Sequence, residues 1–342
     1  MKRVLIIGEP IASLGGIQTF TSNLVKMFKN SEEIKIEILA QGPISDEYNS
    51  MSPFILGPNF MKRQLHRVPF IKAKAIKKFL KSKNYNYDYI LLNYPKDING
   101  LDKFKNKIVL VQHQTIASWV KRFIYFNNNK KLIQKVKKRV DVIVTLSPQE
   151  KKELEKIFNN VIVVRHTSEM KVEEKKSYNK NIIMPARLIN KHKRFDIAIN
   201  LLKKIPEYEL HIYGDGKDKQ NIKKMIGDSK NIHLHKRTNN LEEELSKFSF
   251  LLITSDYEGY PLATIESIKK GLIPVIRNTY LSAEDIVLDN TFLLKNNITP
   301  DEFKEKLDNT LDNIKVYKEK LKYKKEIYDW ETIKDKWSHL FV

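Results

Sequence analysis

The alternation of short apolar runs with longer amphipathic stretches constrains the fold of this chain more than any other feature. In the first half, runs rich in β-branched residues predict strands at Val4–Ile7, Ile34–Leu39, Tyr89–Leu92, Lys107–Val111, Val142–Leu146 and Val161–Val164. Between these runs, amphipathic periodicity predicts helices at Ile17–Lys29, Met61–Lys83, Lys130–Lys138 and Pro148–Ile157. Nearly continuous apolar strands joined by helical crossovers are typical of a parallel sheet covered on both faces.

The same rhythm restarts after residue 166. It predicts strands at Ile182–Met184, Glu209–Tyr213, Ile232–Leu234, Leu251–Ile253, Pro274–Ile276 and Phe292–Leu293. It predicts helices at Phe195–Lys204, Lys217–Ile226, Leu241–Lys247, Ala263–Lys270 and Asp301–Glu326. The charged stretch Ser168–Lys180 lacks apolar periodicity and fits a linker. We therefore predict an α/β chain of two Rossmann-like domains, with a ligand cleft at the carboxyl ends of their strands.

Composition narrows the setting of the protein. The 342 residues include no cysteine, which excludes disulfides and thiolate metal ligands and favours the reducing cytoplasm. The apolar runs are far shorter than the roughly 20 residues of a membrane-spanning helix. The net charge of +21 is concentrated in residues 1–165, which carry +17, and this predicts an acidic partner for that half.

The most informative motif is Ser255-Asp-Tyr-Glu-Gly-Tyr-Pro-Leu-Ala-Thr-Ile-Glu, which directly follows a predicted strand. Gly259 permits a tight turn and Pro261 suits the first turn of a helix, so free backbone amides there form an anion site. Glu258 and Glu266 frame this turn, and carboxylates accept hydrogen bonds from sugar hydroxyls. Taken singly, Glu258 is more often a surface residue and Glu266 a helix-solubilising residue.

This motif, followed by Lys-Gly-Leu-Ile-Pro-Val, resembles the hallmark of the retaining glycosyltransferase family 4, whose members adopt the GT-B fold. The resemblance implies that Glu258 holds hydroxyls of the donor sugar. It implies that backbone groups of the next residues approach the sugar, here Gly259, Tyr260, Pro261 and Leu262. Glu266 is then expected to bind the ribose of the donor.

Further segments extend the resemblance along the whole chain. Pro185-Ala-Arg-Leu-Ile-Asn-Lys-His-Lys-Arg matches the segment whose Arg and Lys stabilise the leaving diphosphate, which implies roles for Arg187 and Lys193, with Lys191 as the second choice. His113 aligns with a histidine that reaches the donor sugar, although a lone histidine after a strand is often structural. Other expected donor-binding residues are Gly15 and Gly16 in the first loop, Gly214 in the Gly-Asp-Gly loop, and Arg237 and Thr238 beside the base.

The resemblance also implies a division of labour and a mechanism. Residues 1–165 are expected to bind the acceptor, residues 166–320 the nucleotide sugar, and residues 321–342 to cross back to the N-terminal domain. We expect a retaining transfer of a hexose or N-acetylhexosamine from a nucleotide sugar, with UDP preferred on family frequency. No Asp-x-Asp motif suited to a metal-held diphosphate is present, so neither a metal nor another cofactor is expected.

The acceptor and the cellular site are less constrained. A glycan, a lipid-linked acceptor or a protein in bacterial cell-surface glycan synthesis fits, including capsule and teichoic acid. Basic residues in Met61–Lys83 and Lys130–Arg139 favour an anionic membrane surface, and hence a cytoplasmic enzyme peripheral to the plasma membrane, or are simply solvated helix faces. Nucleic acid is not expected as a partner. Alternatives are a sugar-nucleotide epimerase or phosphorylase of the same fold, and a non-catalytic accessory subunit that binds nucleotide sugar.

Overall fold

The computed structural model describes residues 1–8, 15–41, 54–56, 69–84, 86–101, 104–114, 128–238 and 240–342. The chain divides into two compact units. Unit 1 comprises Met1–His166 together with Trp330–Val342, and unit 2 comprises Thr167–Asp329. Within the described ranges, no helix is long and apolar enough to cross a membrane.

Unit 1 is built around a parallel sheet. Its strands are β1 (Lys2–Ile7), β2 (Ile34–Gln41), β3 (Phe54–Leu56), β4 (Tyr89–Leu92), β5 (Lys107–Val111), β6 (Val142–Thr145) and β7 (Val161–Val163). Its helices are α1 (Gly16–Met27), α2 (Pro69–Ser82), a 3₁₀ turn (Pro95–Gly100), α3 (Asn128–Arg139), α4 (Pro148–Glu155) and the C-terminal Trp330–Phe341. The strand order among the described residues is β3-β2-β1-β4-β5-β6-β7, and every pairing is parallel. The α/β prediction is confirmed for this half.

Alternate residues of the strands build the core on both faces of this sheet. Val4 and Ile6 face α1 and the C-terminal helix, whereas Leu5 and Ile7 face α2, α3 and α4. All four side chains are fully buried. A strand that buries both faces must be apolar at every position, which is why β1 is a continuous apolar run.

The C-terminal helix Trp330–Phe341 supplies aromatic side chains to one face of this core. The Trp337 ring lies 5.8 Å from the ring of Phe20, and the Phe341 ring lies 5.4 Å from that of Tyr89. Both Trp337 and Phe341 are buried. The last residues of the chain therefore complete the core of the unit that contains its first residues.

Unit 2 repeats the architecture. Its strands are β8 (Asn181–Pro185), β9 (Glu209–Tyr213), β10 (Ile232–His235), β11 (Phe250–Ile253), β12 (Ile273–Arg277) and β13 (Leu293–Leu294). Its helices are α5 (Asn190–Lys193), α6 (Phe195–Leu202), α7 (Lys219–Ile226), α8 (Leu241–Leu245), α9 (Leu262–Lys269), α10 (Ala283–Ile286), α11 (Pro300–Asp312) and α12 (Ile314–Ile327). The C-terminal helix of unit 1 is α13. In the described residues the strand order is β10-β9-β8-β11-β12-β13, again parallel throughout.

Two element predictions in unit 2 were wrong in detail. The single helix expected over Asp301–Glu326 is two helices, because Asn313 leaves the helical conformation with φ −106° and ψ 28°. Phe292 belongs to a 3₁₀ turn, and β13 begins only at Leu293. In unit 1, the first part of the helix expected over Met61–Lys83 lies outside the described residues up to position 68.

The predicted linker Ser168–Lys180 contains neither helix nor strand and is fixed along unit 2. The ammonium of Lys270, which is buried, binds carboxylate oxygens of Glu173 and Glu242 at 2.6 Å each. The amide of Glu173 donates to the carbonyl of Lys269 at 2.8 Å, and the Tyr178 hydroxyl donates to the carbonyl of Gly271 at 2.8 Å. We call residues 168–180 the strap. It is held at the C-terminal end of α9, where Gly271 turns the chain with φ +79°.

The contribution of α13 to unit 1 is testable. Replacing Trp337 by Ala removes the largest fully buried side chain among the described residues and leaves a cavity, which is expected to cost about 3–5 kcal/mol of stability in unit 1. Chemical denaturation monitored by far-UV circular dichroism measures this loss. The control Tyr323→Ala, at an aromatic side chain that is 64% exposed, is expected to change stability by about 0.5 kcal/mol or less. Equal effects of the two substitutions would contradict this account.

Candidate active site

The candidate site in unit 2 lies at the point where its sheet changes direction. From β8 the chain first builds outward through β9 to β10, and then returns to the other side of β8 with β11. In parallel α/β sheets, ligands bind beyond the carboxyl ends of the two strands that flank such a point. Arg187 follows β8 by two residues, and Glu258 follows β11 by five.

An ion pair joins the loops that follow these two strands. Lys193 Nζ contacts Glu258 Oε1, and Ser255 Oγ donates to the same oxygen at 2.7 Å. The Lys193 and Glu258 side chains are 26% and 16% exposed, so the pair is accessible from solvent. Lys191, the second choice from sequence, is exposed and has no ion-pair partner in the part of the chain that the structure describes.

Residues that the sequence did not single out hold the two loops together. Thr254 Oγ1 donates to the carbonyls of both Lys193 and Arg194 at 2.9 Å. The backbone of Arg194 has a left-handed conformation, with φ 52°. This residue separates α5 from α6 and turns Lys193 toward the neighbouring loop. Asp256 accepts from the guanidinium groups of Arg194 at 3.1 Å and Arg277 at 2.5 Å. These polar side chains position the pair.

The turn after Glu258 presents backbone donors. Within the described residues, no carbonyl or side chain accepts from the amides of Gly259, Leu262 and Ala263, which lie at the N-terminal end of α9. The Gly259 carbonyl is engaged by the hydroxyl of the buried Ser282. A helix N-terminus with free amides attracts a phosphate or an oxygen-rich ligand.

Two residues of the predicted sugar-binding turn, Tyr260 and Pro261, each lack one of the groups that could bind a ligand. The Tyr260 side chain is buried, and its hydroxyl bonds to Asp285 at 2.9 Å and to the Tyr328 hydroxyl at 2.5 Å. The Tyr260 side chain therefore does not face a ligand at the turn. Pro261 has no amide hydrogen, so it shapes the turn but cannot donate to a ligand.

The loop that carries Arg187 rests on the Gly-Asp-Gly loop after β9. The Leu188 amide donates to the carbonyl of Asp215 at 2.9 Å. A Cβ on Gly214 would lie 2.0 Å from the carbonyl oxygen of Ala186, and a Cβ on Gly216 would lie 2.5 Å from that of Leu188. Only glycine allows this approach. The Arg187 side chain itself is exposed and makes no hydrogen bond or ion pair with other described residues.

Glu266 lies inside α9, two turns from Glu258 along the chain. Burial raises the pKa of its carboxyl to about 7, although the nearby Lys269 ammonium opposes this rise. No described residue hydrogen-bonds its carboxylate. A largely buried, unpaired carboxylate is the acceptor that a pair of ribose hydroxyls would satisfy.

Arg237 and Thr238 follow β10, at the outer side of the sheet. Arg237 is exposed, and Thr238 Oγ1 accepts from the amide of Asn240 at 3.0 Å. Neither contacts Arg187 or Glu258. Their expected position beside a base stays a prediction.

The remaining predicted residues belong to unit 1 and follow neighbouring strands there. Gly15 and Gly16 lead into α1 after β1, and no described atom lies within 4 Å of a Cβ added to Gly16. The first part of that loop, including Ser13 and Leu14, lies outside the described residues. Fold packing among the described residues thus does not require glycine at position 16.

His113 is anchored at the end of β5. Its Nε2 donates to Asn93 Oδ1 at 2.9 Å, and Asn93 in turn donates to Thr21 Oγ1 at 3.0 Å. Burial, with a smaller effect of His166, holds the pKa of His113 well below its usual value. His113 is therefore neutral at pH 7, and Nδ1, buried without a described partner, is available as an acceptor.

The Glu266 carboxyl predicts a pH-dependent stability difference. Because its folded pKa lies near 7 and its usual value is 4.5, ionising it in the folded protein costs about 3 kcal/mol, which is absent below pH 4.5 and fully present above pH 7. Glu266→Gln is therefore expected to raise the melting temperature relative to wild type at pH 8 but not at pH 4.5. A difference that does not vary with pH, or the same trend in the exposed control Glu284→Gln, would exclude this explanation.

Substitution of glycine by alanine is expected to have opposite effects on stability at Gly16 and at Gly214. Gly16→Ala should leave the fold intact and stabilise α1 slightly, so a weakened affinity for a nucleotide sugar would report close approach of the ligand. Gly214→Ala should destabilise unit 2, because the added methyl meets backbone at 2.0 Å. Thermal melting and calorimetry with nucleotide sugars separate these effects. Destabilisation by Gly16→Ala would contradict the first expectation.

Comparison with known proteins concerns the family and the fold of the chain. Residues 166–328 match the model of the family "Glycosyl transferases group 1". The O-antigen biosynthesis glycosyltransferase WbnH of Escherichia coli is 29% identical over 127 residues, 37% of this chain and 36% of its own length. The poly(ribitol-phosphate) alpha-N-acetylglucosaminyltransferase of Staphylococcus aureus is 24% identical over 230 residues, 63% of this chain and 47% of its own length. The chain thus spans about a third to a half of these relatives.

Solved structures extend the likeness beyond the matched segment. A mutant of S. aureus TarM in complex with Fondaparinux, alpha-GlcNAc-glycerol and UDP superposes with a TM-score of 0.73 at 14% identity. The superposition covers 100% of both chains. Residues 166–328 are thus similar to the glycosyl transferases group 1 family, and the fold of the described residues is the GT-B fold.

Proposed function

We propose that this protein is a retaining glycosyltransferase that moves a hexose or N-acetylhexosamine from a UDP-sugar to an acceptor in cell-surface glycan synthesis. The observation that carries the proposal is the accessible Lys193–Glu258 pair, together with the α9 amides and the Arg187 guanidinium, which have no partner among the described residues. These groups offer cations and donors for a diphosphate and a carboxylate for sugar hydroxyls at one edge of the sheet.

The chemistry follows from the charges of these groups. Transfer breaks the bond between the anomeric carbon and the diphosphate, so negative charge develops on the leaving diphosphate. Arg187, Lys193 and the amides at the N-terminus of α9 stabilise that charge. Glu258 holds hydroxyls of the donor sugar. The acceptor hydroxyl attacks on the face that the diphosphate leaves, which retains the anomeric configuration without a carboxylate nucleophile. This scheme needs no metal.

Donor binding rearranges the ion pair of the free protein. A diphosphate competes with Glu258 for the Lys193 ammonium, and sugar hydroxyls then replace the ammonium at Glu258. Glu266 accepts the ribose hydroxyls.

UDP as the nucleotide draws support from the TarM complex, and a cell-surface acceptor from the O-antigen and poly(ribitol-phosphate) relatives. The basic first half of the chain suits an anionic acceptor polymer or an anionic membrane surface on the cytoplasmic side. Described lysines of this kind lie on α2: Lys74, Lys77, Lys78 and Lys81.

The proposal predicts distinct effects of Glu258→Gln and Arg187→Ala. Glu258→Gln is expected to lower the transfer rate about 10²–10³-fold without weakening UDP binding, because Glu258 contacts the sugar and, in the free protein, competes with the diphosphate for Lys193. Arg187→Ala is expected to lower both quantities, because Arg187 contacts the diphosphate. Calorimetry with UDP and UDP-sugars, together with a product assay against a panel of acceptors, measures the two quantities.

The exposed neighbour Lys191 gives a matched control, since Lys191→Ala should behave as wild type. EDTA should leave the transfer rate unchanged. Near-normal transfer in both Glu258→Gln and Arg187→Ala would refute the assignment. An epimerised nucleotide sugar as product, or donor binding without turnover under any acceptor, would replace it with an epimerase or an accessory subunit.

A further inference from the structure

A cluster of histidines lies on one face of the outer strands of unit 2, apart from the residues assigned to the donor. The register of β9 and β10 pairs His211 with His233 and Tyr213 with His235. Because strand side chains alternate between faces, Glu209, His211 and Tyr213 share one face. Three of the chain's eight histidines therefore lie together at the edge of the sheet, and two of them, His211 and His233, contact the Glu209 carboxylate.

The distances in this cluster are those of a metal site. His211 Nε2 lies 3.2 Å from Glu209 Oε2, and His233 Nε2 lies 3.8 Å from the same oxygen. One ligand atom from each of the three residues falls within 4.8 Å of the others. In a tetrahedral zinc site with bonds of about 2.0–2.1 Å, the ligand atoms lie about 3.3 Å apart. Small adjustments of the exposed Glu209 and the half-buried His233 would reach that spacing.

Neighbouring side chains hold His211 in the orientation that a ligand needs. His211 Nδ1 lies 2.9 Å from His235 Nε2, which leaves Nε2 of His211 directed at Glu209. The His235 ring stacks on Tyr213 with centroids 4.4 Å apart, and the Tyr213 hydroxyl donates to Glu244 at 2.6 Å. A hydrogen bond to the second ring nitrogen is the usual support of a metal-binding histidine.

The chemistry of these donor groups agrees with the geometry. Imidazole and carboxylate together are the donor set that zinc and related divalent transition ions prefer in cysteine-free sites.

We propose that Glu209, His211 and His233 bind one divalent transition-metal ion, with zinc as the best match, and that His235 positions His211. The bound ion would tie the edge strand β10 to β9. Its role is structural, because none of its ligands is among the residues assigned to the sugar or the diphosphate. The proposal does not rest on the glycosyltransferase assignment, and the metal-independence expected of the transfer concerns a different place in unit 2.

The test uses the full chain without an affinity tag, freed of metal by chelation. Calorimetric titration with Zn²⁺ at pH 7.5 is expected to show one site per chain, and Zn²⁺ is expected to raise the melting temperature. Substituting Co²⁺ should give the visible absorption of a four-coordinate site. His233→Gln, at a partly exposed edge position, should weaken Zn²⁺ binding about tenfold or more, as should Glu209→Gln.

The control is His339→Gln, which removes an exposed histidine of α13 and should bind Zn²⁺ as wild type does. His235→Gln should weaken binding less than His233→Gln. Circular dichroism of the metal-free variants checks that each is folded. Absence of one-to-one binding in the wild type, or unchanged binding in both His233→Gln and Glu209→Gln, would overturn the proposal.

Discussion

The Lys193–Glu258 ion pair is the interaction on which the organisation of unit 2 centres. It joins the loops that leave β8 and β11, the two strands between which the sheet changes direction. Two further residues strengthen the same junction. Thr254 binds the backbone carbonyls of Lys193 and Arg194, and Asp256 binds the Arg194 guanidinium. The pair therefore connects the two loops. It also holds the cation and the carboxylate that are proposed to bind a nucleotide sugar.

Charge compensation explains how such a site exists without its ligand. A cation and a carboxylate that face each other lose less free energy on partial burial than either would alone. Glu266 has no ion-pair partner among the described residues, and burial raises the pKa of its carboxyl despite the nearby Lys269 ammonium. The unit thus keeps one compensated pair, one uncompensated carboxyl and one exposed cation, Arg187, around the start of α9. Ligand binding would change the electrostatic balance of each group differently.

The sequence predicted well those strands that appear as continuous apolar runs. The apolar runs matched the central strands to within a residue or two, because a strand buried on both faces must be apolar throughout. The short β3 was missed, since three residues beside Pro53 and Gly57 carry no periodic signal. Helix α5 was missed because Asn190–Lys193 is wholly polar. The spacing of the motifs singled out Arg187 and Glu258 as candidate site residues. The contact between Arg277 and Asp256 could not be predicted, because it depends on the register of β11 and β12, and local sequence does not reveal that register.

The strap has a consequence for how this chain can be recombined with its relatives. Residues 168–180 are bound to unit 2 by the buried Lys270 and by Gly271, whereas the core of unit 1 is completed by α13. A functional chimera must therefore exchange residues 167–329 as one cassette, with the strap included and α13 retained by the recipient. A crossover placed at the end of the strap would separate Lys270 from Glu173, one of its two carboxylate partners, and one placed after α13 would pack a foreign α13 against the recipient's core. The boundaries for such an exchange therefore lie after His166 and after Asp329.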